Sequence, residues 1–272
     1  MYIDYYKDKL ELTKSLQELI ARKYKDVFYA VIVHGSVATG EVIPYSDFDG
    51  LIIVKDSYVN SKKLKQFKRS SMKYILKFDP LQHHGWFEMS ESELLDYPES
   101  YLPTSVLEKA KLLYPITPGI ELNISRTNIP DYKTGLLRMM DQFEKRDSNG
   151  WRPKNIYELK SVMSQLMLVP CLYFSAKNNA GIFKRESFDA VRGSFTTSEW
   201  LAIKVCSQIR KDWKYSMNPL QKVFFTIPNR FFRKIISKYY APKIPQKFLE
   251  LLNEDFYNSI LLLNKKIKKE IT

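Results

Sequence analysis

The pattern of apolar and polar positions divides the chain into two parts of different character. In the first part, short runs rich in β-branched and aromatic residues predict strands over 27–33, 47–54 and 81–89. Apolar residues at helical spacing there predict helices over 4–24 and 61–77, and shorter ones over 92–96 and 106–112. The second part is helical throughout, with helices predicted over 135–146, 157–176, 187–195, 199–215, 230–239 and 245–269.

A segment rich in proline and glycine separates the two parts. Residues 114–119 hold two prolines and one glycine, which predicts a linker. We therefore expect an α/β (α+β) fold, with a small mixed β-sheet domain over 1–118 and an all-α helical bundle over 119–272. A length of 272 residues fits one large domain or two small ones, and 44% hydrophobic residues exclude a disordered chain.

Charge is distributed unequally between the two predicted domains. Residues 1–118 carry 16 basic and 16 acidic side chains, whereas residues 119–272 carry 27 and 14. The whole net charge of +13 therefore lies in the helical part. A net positive charge on one part of the chain favours an anionic partner, such as nucleotide phosphates, nucleic acid or an acidic metabolite. A solvated helical surface gives the same pattern.

Cysteine content and hydropathy indicate the class of protein. Cys171 and Cys206 are too few for a disulfide scaffold and lack the spacing of metal ligands. No apolar run reaches 18 residues, and the first residues are too polar for a signal peptide. We expect a soluble cytoplasmic protein with no membrane partner, and nothing in the sequence predicts its oligomeric state.

The residues with the clearest chemistry lie around the first two predicted strands. The first strand runs into Gly35-Ser36, and Asp47-Phe48-Asp49 leads into the second. Side chains two residues apart in a strand point to the same face, so Asp47 and Asp49 are expected to project together. Two such carboxylates repel each other unless a cation lies between them, and Mg²⁺ prefers carboxylate and phosphate oxygens. Gly35 allows close backbone approach to a phosphate, and Ser36 offers N–H and hydroxyl donors.

This order of strand, Gly-Ser turn, spacer and Asp-x-Asp resembles the active-site signature of the DNA polymerase beta-type nucleotidyltransferase superfamily. The resemblance covers residues 27–90 by motif and the rest by layout, because antibiotic nucleotidyltransferases also place a helical bundle after the catalytic domain. It implies transfer of a nucleoside monophosphate from an NTP, expected to be ATP, to an acceptor hydroxyl, with two Mg²⁺ ions and release of pyrophosphate. Gly35 and Ser36 would contact the triphosphate, and Asp47 and Asp49 would be catalytic metal ligands.

The family also has a third carboxylate on the next strand, which is less clear here. Alternation over 81–89 places Gln82, His84 and Glu88 on the active-site face. Glu88 is the expected third catalytic acid and metal ligand, and Asp79 is its rival. His84 is a candidate metal ligand or general base, or else a histidine hydrogen-bonded within the sheet.

Two lysines of the helical part are candidate nucleotide-binding residues. Related two-domain enzymes contribute a lysine to the nucleotide from this half, and Lys160 and Lys184 begin or flank predicted helices. The alternative for Lys184 and its neighbour Arg185 is a solvated surface pair.

The sequence leaves three readings of the acceptor. The basic helical part disfavours a polycationic acceptor, so a small non-cationic molecule is expected. The alternative is transfer to RNA or to another nucleotide, favoured by 11 basic residues and one acid between Lys204 and Lys247. The further alternative is a catalytically degenerate nucleotide-binding protein.

Overall fold

The computed structural model describes residues 1–8, 10–125 and 131–272. Lys9, inside the first predicted helix, and residues 126–130, inside the predicted second domain, lie outside the described residues. The chain forms two compact units: Met1–Ile129 with Asn218–Tyr239, and Pro130–Met217 with Tyr240–Thr272. The predicted domain division at residue 118 stays a prediction. The first unit differs from the predicted first domain because it also includes residues 119–129 and 218–239.

The first unit is built on six strands. They are β1 (Tyr2–Asp4), β2 (Phe28–His34), β3 (Asp49–Val54), β4 (Phe87–Ser90), β5 (Lys111–Tyr114) and β6 (Gly119–Glu121). A four-stranded sheet has the order β4-β3-β2-β5, and β1 pairs with β6 in a separate two-stranded sheet. The larger sheet is mixed, because β2 runs antiparallel to β3 and β5 whereas β3 and β4 are parallel. The predicted mixed sheet is therefore confirmed.

Apolar side chains cover both faces of the larger sheet. Val31 and Ile52 face one core together with α1 (Glu11–Leu19) and α3 (Lys62–Phe78). Ile32 and Leu51, the next residues along the same strands, face a second core with Ile3 of β1. Because alternate residues of β2 and β3 are buried on opposite faces, these strands read as continuous apolar runs.

Several predicted boundaries differ from the observed ones. The strand predicted over 81–89 is only β4, because Asp79-Pro80 is followed by an irregular segment up to Trp86. The helix predicted over 106–112 is replaced by α4 (Thr104–Leu107) and β5. The helix predicted over 4–24 begins at Glu11 and ends in a π-helical turn, Ile20–Tyr24, after the short strand β1. Residues 114–119 form the turn between β5 and β6, inside the first unit.

Three further helices belong to the first unit. The short helix α2 (Gly35–Thr39) directly follows β2. Two more, α10 (Pro219–Phe225) and α11 (Arg230–Tyr239), come from much later in the chain. Asn218 begins α10 with a capping box that includes Gln221.

The second unit is helical, as predicted for this part of the chain. Its helices are α5 (Tyr132–Ser148), α6 (Ile156–Leu166), α7 (Val169–Asn178), α8 (Lys184–Arg192), α9 (Thr197–Lys211), α12 (Gln246–Leu251) and α13 (Glu254–Ile271). Side-chain caps begin several of them, such as Thr196 with Glu199 at α9. Buried polar contacts also join helices, since the Asn264 amide donates to the Met140 carbonyl at 2.9 Å. The α+β class with a following helical part is confirmed.

One helical stretch of the second unit is long and apolar enough to cross a membrane. It comprises 156–178, and 67% of its apolar window is buried inside the unit. Burial of this kind is typical of the core helix of a soluble protein, so the stretch gives no reason to expect a membrane span.

Candidate active site

The candidate site lies where two neighbouring strands of the larger sheet meet. His34 ends β2 and Asp49 begins β3, and the two residues are paired in the antiparallel register. Asp49 shares its face of the sheet with Leu51, on the side away from α3. The chain leaves β2 into α2, so Gly35 and Ser36 lie next to this pair.

Gly35 is packed directly against the Asp49 carboxylate. Its φ is +63°, a conformation that side chains rarely adopt, and a Cβ there would lie 2.6 Å from Asp49 Oδ2. Both the backbone conformation and the space therefore require glycine. Ser36 follows in the first turn of α2 and is half-buried.

His84 forms an ion pair with one of the two aspartates. Its Nε2 lies 3.2 Å from Asp49 Oδ1, and its Nδ1 lies 3.1 Å from the Gly85 carbonyl. Burial lowers the pKa of His84, but the hydrogen bond to Asp49, the charge of Asp49 and that of Asp47 raise it to about 9. An imidazole with this pKa is protonated at neutral pH and donates to Asp49. Asp47, Asp49, His84 and Gly35 thus form one cluster, and their catalytic and binding roles stay predictions.

His34, the strand partner of Asp49, is a buried neutral ring beside the cluster. Burial lowers its pKa, an effect that the nearby charge of Asp49 opposes and that of His84 reinforces. The Phe87 ring of β4 lies close to both imidazoles, with centroids 5.4 Å from His34 and 5.7 Å from His84. Phe87 thus provides an apolar contact to both histidines.

The structure does not bring Glu88 to this cluster. Glu88 is in register with Ile52, which faces α3, and its carboxylate forms an ion pair with Lys68 of that helix. The rival, Asp79, follows α3, and its Oδ1 accepts a hydrogen bond from the Leu81 N–H at 3.0 Å. A metal role for Glu88 stays a prediction, and its place on the opposite face of the sheet gives it no support.

The two candidate lysines both lie in the second unit. Lys160 is fully buried in α6, and Lys184 begins α8. The charge of Lys184 lowers the pKa of the Cys171 thiol, although burial of the thiol raises it by more. The nucleotide-binding role of both lysines stays a prediction.

The sequence missed the importance of one amide at the site. Gln82 was expected to face the site from a strand, but it lies in the irregular segment before β4 and its side chain contacts the Phe48 backbone. Only its position after the Asp79-Pro80 turn hinted at a buried polar role, because periodicity carries no information outside a regular element.

The carboxylates of the cluster suit a Mg²⁺ ion that is shared with a substrate. Across the described part of the chain, no group of three or more His, Cys, Asp or Glu side chains could hold a metal ion by itself. Mg²⁺ is usually held by one or two carboxylates plus substrate phosphates, rather than by a cage of protein ligands. Asp47 and Asp49 provide two carboxylates two residues apart, a donor set that fits this ion.

A cavity lies elsewhere on the first unit. It has a volume of about 740 Å³ and opens near the end of β3, where Val54, Glu88 and Ser90 line it. None of the clustered residues at the start of β3 lines this cavity.

Comparison with known proteins identifies a family for part of the chain. Residues 13–112 match the family described as the nucleotidyltransferase domain. No curated protein gives a significant match to the chain. The structure of spectinomycin adenyltransferase from Enterococcus faecialis, solved with ATP and spectinomycin, is similar with a TM-score of 0.54 at 12% identity. The match covers 96% of this chain and 100% of that chain, and at this identity it shows a shared fold. Residues 13–112 thus confirm the predicted resemblance, and the chain is an enzyme of the nucleotidyltransferase class.

Proposed function

We propose that this enzyme transfers the AMP group of ATP to a hydroxyl of a small, non-cationic molecule and releases pyrophosphate. One observation carries the proposal: Gly35 and the Asp-Phe-Asp segment, 12 positions apart in sequence, meet at the adjoining ends of β2 and β3. The similar spectinomycin adenyltransferase was solved with ATP and a small molecule, which favours these two kinds of substrate.

In this proposal the cluster binds the triphosphate and the metal. Asp47 and Asp49 would hold Mg²⁺, and two ions are expected from the resemblance. When bound, the metal neutralises phosphate charge and lowers the pKa of the acceptor hydroxyl. Gly35 admits the phosphates close to the backbone, and the Ser36 N–H and hydroxyl donate to their oxygens.

The remaining residues of the cluster orient these groups. His84 donates to Asp49 Oδ1 and so fixes the direction of that carboxylate. His84, whose pKa is raised by its hydrogen bond to Asp49, would add positive charge beside the phosphates. Most of the rate enhancement then comes from positioning and from charge neutralisation, as in other phosphoryl transfers.

The charge of the chain favours one kind of acceptor. Residues 119–272 carry 27 basic and only 14 acidic side chains, so a polycationic acceptor would be repelled. A neutral or anionic small molecule is therefore expected.

Label transfer from [α-³²P]ATP tests the proposal directly. The enzyme is incubated with Mg²⁺ and a panel of hydroxyl-bearing small molecules, with total RNA as a separate arm and the Asp47→Asn/Asp49→Asn variant as blank. We expect label on a small molecule together with equal release of pyrophosphate, and neither in the blank. Label on RNA would refute the small-molecule acceptor, and ATP binding without transfer to any acceptor would indicate a degenerate enzyme.

A further inference from the structure

A buried glutamine makes a paired contact with the middle residue of the Asp-Phe-Asp segment. Gln82 is 1% exposed, and its Oε1 accepts a hydrogen bond from the Phe48 N–H at 2.9 Å. Its Nε2 donates to the Phe48 carbonyl at 2.8 Å. One side-chain amide thus satisfies both backbone groups of one residue.

This contact takes the place of a neighbouring strand. The β2 ladder reaches β3 at Asp49, and the β4 ladder reaches it only at Leu51. Phe48 therefore precedes the paired part of β3. Buried backbone groups need hydrogen-bond partners, and Gln82 supplies them where the sheet does not.

The Phe48 ring is fixed as well. It is 1% exposed and packs edge-on against Trp86, with ring centroids 5.0 Å apart and planes at 80°. The indole N–H of Trp86 donates to Ser71 Oγ of α3 at 2.8 Å. Gln82 thus holds the backbone of Phe48, and Trp86 holds its ring on the side of the sheet that faces α3.

Gln82 is itself held by contacts within the first unit. Its backbone carbonyl accepts a hydrogen bond from the Arg233 guanidinium of α11. Its Nε2 also lies 3.5 Å from Nδ1 of His84, the ring that bonds Asp49. The amide therefore has little freedom to turn away from Phe48.

We infer that Gln82 is a positioning residue for the two aspartates. Asp47 and Asp49 flank Phe48, so fixing the peptide groups of Phe48 fixes the spacing and direction of both carboxylates. Preorganised ligands bind a metal with less loss of freedom, which is why partners behind a metal ligand affect affinity. The inference rests on the proposed function, because it takes these carboxylates to be the Mg²⁺ ligands.

The test compares Gln82→Leu and the isosteric Gln82→Glu with a matched control, Asn264→Leu. Asn264 is also a buried amide that donates to a backbone carbonyl, that of Met140, but it lies in the second unit. Three properties are measured: hydrogen exchange of the peptide spanning Asp47–Asp49, Mn²⁺ binding by electron paramagnetic resonance, and kcat against Mg²⁺ concentration. Thermal unfolding identifies variants that lose stability alone.

We expect Gln82→Leu to raise hydrogen exchange at the Asp47–Asp49 peptide and to weaken Mn²⁺ binding by about 10- to 100-fold. The Mg²⁺ concentration for half-maximal activity should rise in the same proportion. Gln82→Glu keeps an acceptor for the Phe48 N–H and should fall between Gln82→Leu and the wild type. Asn264→Leu should lower the unfolding temperature without these changes.

Different results would defeat different claims. Unchanged hydrogen exchange, or Mn²⁺ binding equal to that of the wild type, in folded Gln82→Leu or Gln82→Glu would overturn the positioning role and leave the proposed function intact. A wild type that binds no Mn²⁺ would overturn the metal assignment and this inference with it. A wild type that binds Mn²⁺ but transfers no AMP would count against the proposed function alone, because exchange and metal binding would still report on Gln82.

Discussion

Carboxylates gather at both ends of strand β3, and their partners differ. At the start of the strand, Asp49 meets an imidazole and a glycine, in a cluster that also holds Asp47. At the far end, we call Asp56, Glu88 and Glu93 the distal carboxylates. They line the 740 Å³ cavity.

Each distal carboxylate is already engaged in local structure. Glu88 forms an ion pair with Lys68, Asp56 accepts from the Ser92 N–H at 3.1 Å, and Glu93 accepts from the Ser90 N–H at 2.6 Å. These contacts hold a turn and a helix against the sheet. This cavity is thus lined by carboxylates with structural partners, whereas the proposed site lies at the start of the strand.

The largest effect is expected from the clustered aspartates. Asp49→Asn keeps the shape of the side chain but removes the charge that binds metal, so activity should fall by about 10³-fold. Asp47→Asn should behave alike, and both variants should unfold at nearly the wild-type temperature. The measurements are AMP transfer and thermal unfolding, and a fully active Asp49→Asn enzyme would remove the catalytic assignment.

The next effect concerns the contact between Gly35 and Asp49, with Gly40 as a matched control. Both glycines have positive φ, but a Cβ at Gly40 meets nothing within 4 Å. Gly40→Ala should cost about 1 to 2 kcal/mol of unfolding free energy from backbone strain alone and leave activity intact. Gly35→Ala should cost about 1 to 3 kcal/mol more from overpacking, and should also lose activity.

Chemical denaturation of both glycine variants, beside their AMP transfer rates, separates strain from contact. If Gly35→Ala and Gly40→Ala lose the same stability and keep the same activity, the close contact between Gly35 and Asp49 contributes neither to folding nor to activity.

The smallest effect is expected at the distal carboxylates. Glu88→Gln breaks a partly exposed ion pair with Lys68, which contributes about 1 kcal/mol or less. Transfer activity and its Mg²⁺ requirement should stay at the wild-type level. Should Glu88→Gln lose as much activity as Asp49→Asn, the sequence prediction of Glu88 as third metal ligand would hold and the contrast between the two ends would fail.

The sequence was most informative where regular strands determine the geometry. Continuous apolar runs located β2 and β3, and the structure brings together Gly35 and Asp49, which adjoin these strands. The family match then confirmed the enzyme class. This success has a physical reason, because strand alternation and antiparallel pairing place side chains without knowledge of the rest of the chain.

Prediction weakened where the chain is irregular. A strand over 81–89 would have placed Gln82, His84 and Glu88 on one face, but regular alternation starts only at Phe87. His84 reaches Asp49 from the irregular segment, while Glu88 obeys the register of β4 and faces α3. Long-range contacts were also inaccessible, since no local pattern indicates that α11 belongs with the first unit.

The discontinuous first unit has a consequence for the order of events during translation. Strand β1 cannot pair until β6, more than a hundred residues later, has left the ribosome. The segment Asn218–Tyr239 joins the same unit only after residues 130–217 have been synthesised. A nascent chain therefore carries most of its second unit before the first is complete, and the catalytic unit is finished late although it starts first.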